Sequence, residues 1–140
     1  MRRNIERWRT FESRLGREST IWLATGRYDG RPHLTPVWFV WLEGKVYFAT
    51  GSETQKFMNL RHNQQVALSL PDTENVIIIE GEAHVAPRRT VETLADYFFN
   101  KYEWDFRYDE SSDWRLIEVT PNKILVWGDG YEDREGIRLL

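Results

Sequence analysis

The chain has 140 residues, which is enough for one domain with a single hydrophobic core. It contains no cysteine, which excludes disulfides, thiolate chemistry and cysteine-ligated metals, and its net charge of -3 gives no general attraction to nucleic acid or anionic membranes. No run approaches the roughly 20 apolar residues of a membrane span, and the N-terminus lacks the apolar region of a signal peptide, so we expect a cytoplasmic protein.

Hydrophobic periodicity predicts one N-terminal helix followed by a series of strands. Residues 4–15 place Ile5, Trp8 and Leu15 on one helical face, and Gly16 is expected to end this helix. The predicted strands are Thr20–Arg27, His33–Trp41, Lys45–Thr50, Val66–Leu70, Asn75–Ala86, Trp114–Thr120 and Lys123–Trp127. The last two are expected to be separate strands, divided at Pro121 and Asn122.

The connections and the two unusual strand residues indicate how these strands pair. Asp29-Gly30 and Glu43-Gly44 are typical of hairpin turns. Pro36 cannot donate a ladder hydrogen bond, which predicts an edge or a bulge, and Gly81 predicts a bulge or a close backbone approach. Antiparallel strands with short connections close most economically into a small barrel. We therefore expect a single mainly β domain over residues 1–140, with a barrel core at 19–128 and a charged surface tail at 129–140.

Two helices are expected to interrupt the barrel. One runs from Pro87 to Tyr102. The other begins at Ser52, as N-cap of a capping box with Gln55, and ends near Arg61. A strand that turns into a helix carrying Lys56 places free backbone N–H groups and a cation near one point. This arrangement predicts a phosphate or carboxylate site, and the simpler alternative is a capped helix with a solvated lysine.

Several motifs occur in a characteristic order along the chain. They are Asp29-Gly30-Arg31-Pro32-His33, Thr35-Pro36-Val37-Trp38-Phe39, Tyr47-Phe48-Ala49-Thr50, Lys56 followed by Asn59-Leu60, and Glu80-Gly81-Glu82-Ala83. The ordered set resembles the pyridoxamine 5'-phosphate oxidase-like superfamily of FMN-binding split barrels, and within it the deazaflavin-dependent branch. The resemblance implies a six- to seven-stranded antiparallel split β-barrel, a homodimer, and FMN or the 8-hydroxy-5-deazaflavin coenzyme bound at the dimer interface.

The resemblance also implies which residues hold the cofactor. It places the flavin ring along Thr35, Pro36, Val37 and Trp38, and the phosphate at Thr50, Ser52 and Lys56, with Asn59 one helical turn further on. Trp127 matches the position from which the other subunit covers the ring. The long substrate-binding C-terminus of pyridoxamine phosphate oxidase itself is not found, so vitamin chemistry is not expected. No catalytic residue is assigned.

The function implied by the resemblance is hydride transfer to or from a small unsaturated or quinone-like substrate. The chain has no Ser-His-Asp arrangement, Walker loop or dinucleotide glycine motif, which agrees with chemistry supplied by a cofactor. One alternative is a non-catalytic flavin or deazaflavin binding protein. Another is an oligonucleotide-binding barrel, which the pI of about 5.7 argues against.

Two further expectations concern metals and a loop. His33, His62 and His84 lie in different predicted elements and form no metal-binding pattern, so we expect no metal site. Residues 103–112 are aromatic but too polar and aperiodic for a core segment. We expect them to form a mobile loop, and as a hypothesis they fold over the pocket as a lid that selects substrate.

Overall fold

A computed structural model describes residues 2–128 and 131–137 of the protein. Its elements, in chain order, are α1 (Arg2–Arg17), β1 (Thr20–Gly26), β2 (Pro32–Trp38), β3 (Val40–Leu42), β4 (Lys45–Gly51), α2 (Gln55–Leu60), β5 (Gln65–Ser69), β6 (Asn75–Val85), a 3₁₀ turn (Arg88–Thr90), α3 (Val91–Tyr102), β7 (Trp114–Gly128) and β8 (Tyr131–Ile137). Helix α1 continues to Arg17 rather than ending at Gly16, whose position has open space around it.

The strands form one antiparallel sheet in the order β2-β1-β5-β6-β7-β4-β3, with β8 added along β7. This arrangement confirms the predicted mainly β split barrel. Within the predicted charged tail, Tyr131–Ile137 forms strand β8, which pairs with β7 beyond the stretch that pairs with β4. The rest of the predicted tail, residues 129–130 and 138–140, lies outside the described residues.

The predicted strand His33–Trp41 is in fact two strands, interrupted at Phe39. β2 pairs with β1, whereas β3 pairs with β4, so the chain changes partner at this point. The Phe39 N–H donates to the Tyr102 hydroxyl at 2.9 Å, and the Phe39 carbonyl lies 2.7 Å from that hydroxyl and accepts from Lys101 Nζ at 3.0 Å. Two side chains of α3 thus satisfy the backbone where the ladder stops.

A bulge explains why β7 is one strand and not two. The pairing of β6 with β7 shifts between Glu80 and Gly81, so that Glu80 faces Lys123 and Gly81 faces Pro121. Asn122 is the extra residue, and the proline that was expected to end a strand lies at the irregularity instead. A Cβ on Gly81 would lie 2.4 Å from the Thr120 carbonyl oxygen, which confirms the predicted close backbone approach.

The main core lies inside the sheet and is closed by α1. Phe11 and Leu15 are fully buried, and Phe11 packs edge-on against Trp41 with ring centroids 5.3 Å apart. The Trp41 indole N–H donates to Glu12 at 2.7 Å. Trp41, on β3, thus packs on the core, while Trp38, the last residue of β2, is 47% exposed. Within the described residues, no helix combines the length and hydrophobicity needed to cross a membrane.

A second apolar cluster lies between the sheet and α3. It includes Leu94, Ala95 and Phe98 from α3, and Phe106 from the segment after the helix. Phe106 is only 4% exposed, so the expectation that residues 103–112 are too polar for the core is wrong at this position. The polar residues of the segment bond one another locally, as Asp105 does with Arg107, and leave Trp104 and Phe106 free to pack inward.

Lys101 leads to a prediction about stability and pH. Burial lowers its pKa to about 8, while Glu18 opposes part of the shift. From pH 8 to 10 the folded chain therefore releases a proton that the unfolded chain keeps, so stability rises with pH. We expect Lys101 to raise the unfolding free energy by about 1 kcal/mol over this range, a value reduced for partial exposure, and Lys101→Met to remove this contribution. Denaturant titrations of the intact chain and of Lys101→Met across this pH range test the prediction. Parallel profiles of unfolding free energy against pH for the two proteins would refute it.

Candidate functional site

A cavity of about 360 Å³ lies between the exposed edge of β2, helix α2 and the segment that joins α3 to β7. It is lined by Pro36, Val37, Trp38, Ala49, Lys56, Trp104, Asp109 and Trp114. β2 ends the sheet on this side, so the backbone groups on its outer edge have no neighbouring strand in the described part of the chain. The volume is within the usual range for small-molecule sites.

Most of the cavity wall is apolar and aromatic. Trp38 stacks on Tyr102 with the rings 4.6 Å apart and nearly parallel, at 3°. Trp104 meets Trp38 edge-on at 5.8 Å and Trp114 edge-on at 4.9 Å. The Tyr102 hydroxyl is fixed at Phe39, so the stack is tied to the point where the sheet changes partner. Three indoles held in this way provide flat surfaces that suit a planar heteroaromatic ring.

Lys56 is the cationic group of the cavity. Within residues 2–128 and 131–137, no hydrogen bond or ion pair involves its ammonium group. Burial lowers the pKa of Lys56, and the nearby Glu53 carboxylate partly opposes this change. A half-buried cation without a bonded partner is unusual, because desolvation of its charge is then only partly compensated. An anionic ligand group at this position would supply the compensation.

Asp109 adds a carboxylate to the lining of this cavity. It accepts hydrogen bonds from the Trp104 indole N–H at 2.7 Å and from the Ser111 hydroxyl and backbone N–H. These bonds, with that of Ser111 first, lower the pKa of Asp109 to about 2. Asp109 is therefore ionised at neutral pH, and its main structural effect is to fix the orientation of the Trp104 ring.

The helix cap differs from the sequence prediction. The N-cap of α2 is Thr54 and not Ser52, because Thr54 Oγ1 accepts the Phe57 N–H at 3.3 Å. Ser52 instead donates to the Asp113 carboxylate at 3.0 Å, while its backbone N–H donates to the Asp113 carbonyl at 2.9 Å. Ser112 next to it donates to Glu53. The turn at 51–54 thus anchors the end of the 103–113 segment.

Two other predicted cofactor residues are buried in the protein. Thr50 is 1% exposed, and its hydroxyl lies 2.8 Å from that of Thr54. Asn59 is also 1% exposed, donates to the Thr25 hydroxyl at 2.9 Å and accepts from Gln55 at 2.7 Å. In the chain as it stands, both side chains connect α2 to the barrel.

Of the nine residues predicted to bind the cofactor, Pro36, Val37, Trp38 and Lys56 come together in this cavity. Thr35 precedes them on β2, and Trp127 lies opposite Val76 on the distant part of β7 and does not line the cavity in this chain. Trp104 and Asp109 belong to the segment predicted to act as a lid. Ala49 and Trp114 were missed, although both lie on strands whose alternation could have shown which side chains share a face.

Within the described residues, no group of three or more histidine, aspartate or glutamate side chains is arranged to hold a metal ion. The cavity beside β2 offers one cation, an unpaired strand edge and flat apolar walls. This set of features fits a planar ring that carries an anionic group.

Comparison with known proteins relates the chain to one family model and to several solved structures. The family model described as pyridoxamine 5'-phosphate oxidase matches residues 8–128 of the chain. No curated protein matches the sequence of this chain. Among solved structures, an F420 reductase is 26% identical, with a TM-score of 0.67 over 81% of this chain and 94% of that one.

Two further structures are similar in fold alone. General Stress Protein 26 from Bacillus anthracis is 22% identical, with a TM-score of 0.71 over 94% of this chain and 98% of that one. A heme binding protein from Mycobacterium smegmatis is 16% identical, with a TM-score of 0.74 over 87% of this chain and 53% of that one. Proteins with different ligands thus share this fold.

Proposed function

This chain belongs to the pyridoxamine 5'-phosphate oxidase family, and we propose that it is a homodimeric oxidoreductase that binds FMN or the 8-hydroxy-5-deazaflavin coenzyme. When bound, such a cofactor supplies hydride chemistry, here toward a small unsaturated or quinone-like substrate. The similarity to an F420 reductase supports the deazaflavin form, which we propose as the first choice.

One observation carries the proposal: an unpaired, half-buried Lys56 lies in the same cavity as the flat walls formed by Trp38, Trp104 and Trp114. A ligand that needs both an anion-binding cation and a planar slot meets these two features together. Either feature alone has a simpler structural explanation.

In this proposal each element of the chain has a separate task. Lys56 binds the cofactor phosphate, and Pro36 to Trp38 present the backbone edge of β2 to the ring. Because Pro36 has no N–H, its backbone offers a carbonyl acceptor and no hydrogen-bond donor. Trp104 and Trp114 exclude water from the ring surface, and the 103–112 segment shapes the side from which substrate enters. Thr50, Ser52 and Asn59 would hold the turn at 51–54 and helix α2 in place beside the phosphate.

A homodimer would complete the site. The outer face of β1 and β2 exposes Trp22 by 40% and Leu34 by 63%, beside the exposed Trp38. Trp22 is the cross-strand neighbour of Pro36, so this apolar face is continuous with the cavity edge. Contact between two such faces would bury the apolar surface and allow Trp127 of the other subunit to cover the ring.

A non-catalytic flavin or deazaflavin carrier is the second candidate, because the same cavity would serve it. The two are separated by one experiment with two stages. Cofactor-free protein is titrated with FMN and with the deazaflavin coenzyme, and tryptophan quenching gives the affinities. Turnover of the tighter complex is then measured with a panel of enones and quinones. Binding with turnover supports the enzyme, binding without turnover supports the carrier, and no binding of either cofactor rejects both.

A further inference from the structure

A second cavity, of about 410 Å³, adjoins the first on the other side of the 103–113 segment. It lies between this segment, the end of β6 and the 3₁₀ turn before α3. Trp114 and Asp109 line both cavities and form the wall between them. The proposed cofactor chemistry makes no use of this second cavity.

The floor of the second cavity is apolar. Ala86, Phe106 and Leu116 line it and are 7%, 4% and 4% exposed. Val91, at the start of α3, adds a partly buried side chain that packs against the same cluster. A hydrocarbon ring or branched chain resting here would be removed from water on one side.

Three arginines stand around this floor, and two of them are neutralised. Arg107 forms two bonds with Asp105, and Arg115 pairs with Asp113 at 2.8 Å. The guanidinium group of Arg88 has neither a hydrogen bond nor an ion pair with any residue that the structure describes. The guanidinium of Arg88 is therefore the free cation at the rim, and its planar fork is suited to a carboxylate.

The wall that separates the two cavities carries a negative charge. The ionised Asp109 is held there by Trp104 and Ser111. The Trp114 indole N–H is buried without a hydrogen-bond partner, although its proximity contributes to the low pKa of Asp109. The negative Asp109 would repel a carboxylate at this wall, so a ligand is oriented with its anionic end toward Arg88.

We propose that this cavity binds a small carboxylate with an apolar body, such as an arylalkanoate, with the carboxylate at Arg88 and the body over Phe106 and Leu116. The proposal is independent of the cofactor, because none of Lys56, Pro36 or Trp38 contributes to this cavity. It adds a second ligand beside the proposed cofactor site, separated from it by Trp114.

Phenylacetate is the probe, and the NMR signal of the Trp114 indole N–H, assigned by its loss in Trp114→Phe, is the readout. We expect saturable binding to the intact chain and about tenfold weaker binding to Arg88→Gln. Arg89→Gln is the matched control, since Arg89 is adjacent, exposed and absent from the cavity lining. Acetate, which lacks the ring, and 2-phenylethanol, which lacks the charge, should both bind much more weakly.

Each other result overturns the proposal. Absence of saturable binding removes the site, and equal binding by Arg88→Gln and the intact chain removes the role of the arginine. Equal binding of 2-phenylethanol would show an apolar pocket without anion recognition. FMN titration of Arg88→Gln keeps the two claims apart, because its cofactor affinity should match the intact chain whichever way the phenylacetate result falls.

Discussion

Lys56→Met is expected to weaken FMN binding by about ten- to a hundredfold, the loss that corresponds to a charge-assisted hydrogen bond to a phosphate. Lys56 has no bonded partner in the described chain, so its removal leaves no other group unsatisfied. Burial already lowers its pKa, and the substitution removes that desolvation cost. The free energy of unfolding should therefore stay the same or rise slightly, while the cofactor affinity falls.

Riboflavin, which has the same ring but no phosphate, makes this prediction specific. Its affinity should be nearly equal in the intact chain and Lys56→Met, because Lys56 is assigned to the phosphate alone. Lys123→Met removes the same charge from a residue outside the cavity and serves as the matched control. Equal losses for FMN and riboflavin would mean that Lys56 supports the shape of the cavity instead of binding the phosphate.

Phe98→Ala is expected to lower the free energy of unfolding by about 3–5 kcal/mol, the usual cost of truncating a buried phenylalanine. Phe98 is fully buried, and its ring lies 5.9 Å from Tyr102, 6.2 Å from Trp104 and 5.7 Å from Phe106. It therefore packs against Trp104 of the candidate cofactor cavity, against Tyr102, on which Trp38 stacks, and against Phe106 in the floor of the second cavity.

The neighbouring Phe99 provides the control for this prediction. It is 55% exposed on the outer side of the same helix, so Phe99→Ala should change stability by less than about 1 kcal/mol. Urea denaturation of both variants measures the difference. Similar values for the two would show that Phe98 does not anchor α3 in the second apolar cluster as described. Cofactor binding should weaken in Phe98→Ala alone, even at temperatures where that variant is fully folded.

Local sequence rules were sufficient where the responsible interaction is itself local. Pro36 predicted an edge or a bulge, and Gly81 a bulge or a close backbone approach, because one lacks a donor and the other a side chain. The fold class followed from hairpin turns between short strands. The family resemblance added the assignment of Pro36, Val37, Trp38 and Lys56, which the structure brings together in one cavity.

The errors came from contacts between residues distant in sequence. The strand break at Phe39 depends on Lys101 and Tyr102, more than 60 residues away. Ser52 and Thr54 are both good cap residues, and the choice between them depends on Asp113, which binds Ser52. No local pattern contains this information.

The 103–112 segment shows a related limit. Its composition predicted solvent exposure, but paired polar residues allow Trp104 and Phe106 to face inward. Hydrophobic composition averaged over the segment does not reveal such internal pairing. Burial of single residues within polar segments depends on which polar groups satisfy one another.

The most direct test of the proposed function is a crystal structure of the protein with FMN or the deazaflavin coenzyme bound. We expect the cofactor phosphate to lie within hydrogen-bond distance of Lys56 Nζ, and the ring to lie along Pro36 to Trp38 beside Trp104. A cofactor bound elsewhere, or bound in this cavity with its phosphate away from Lys56, would contradict it.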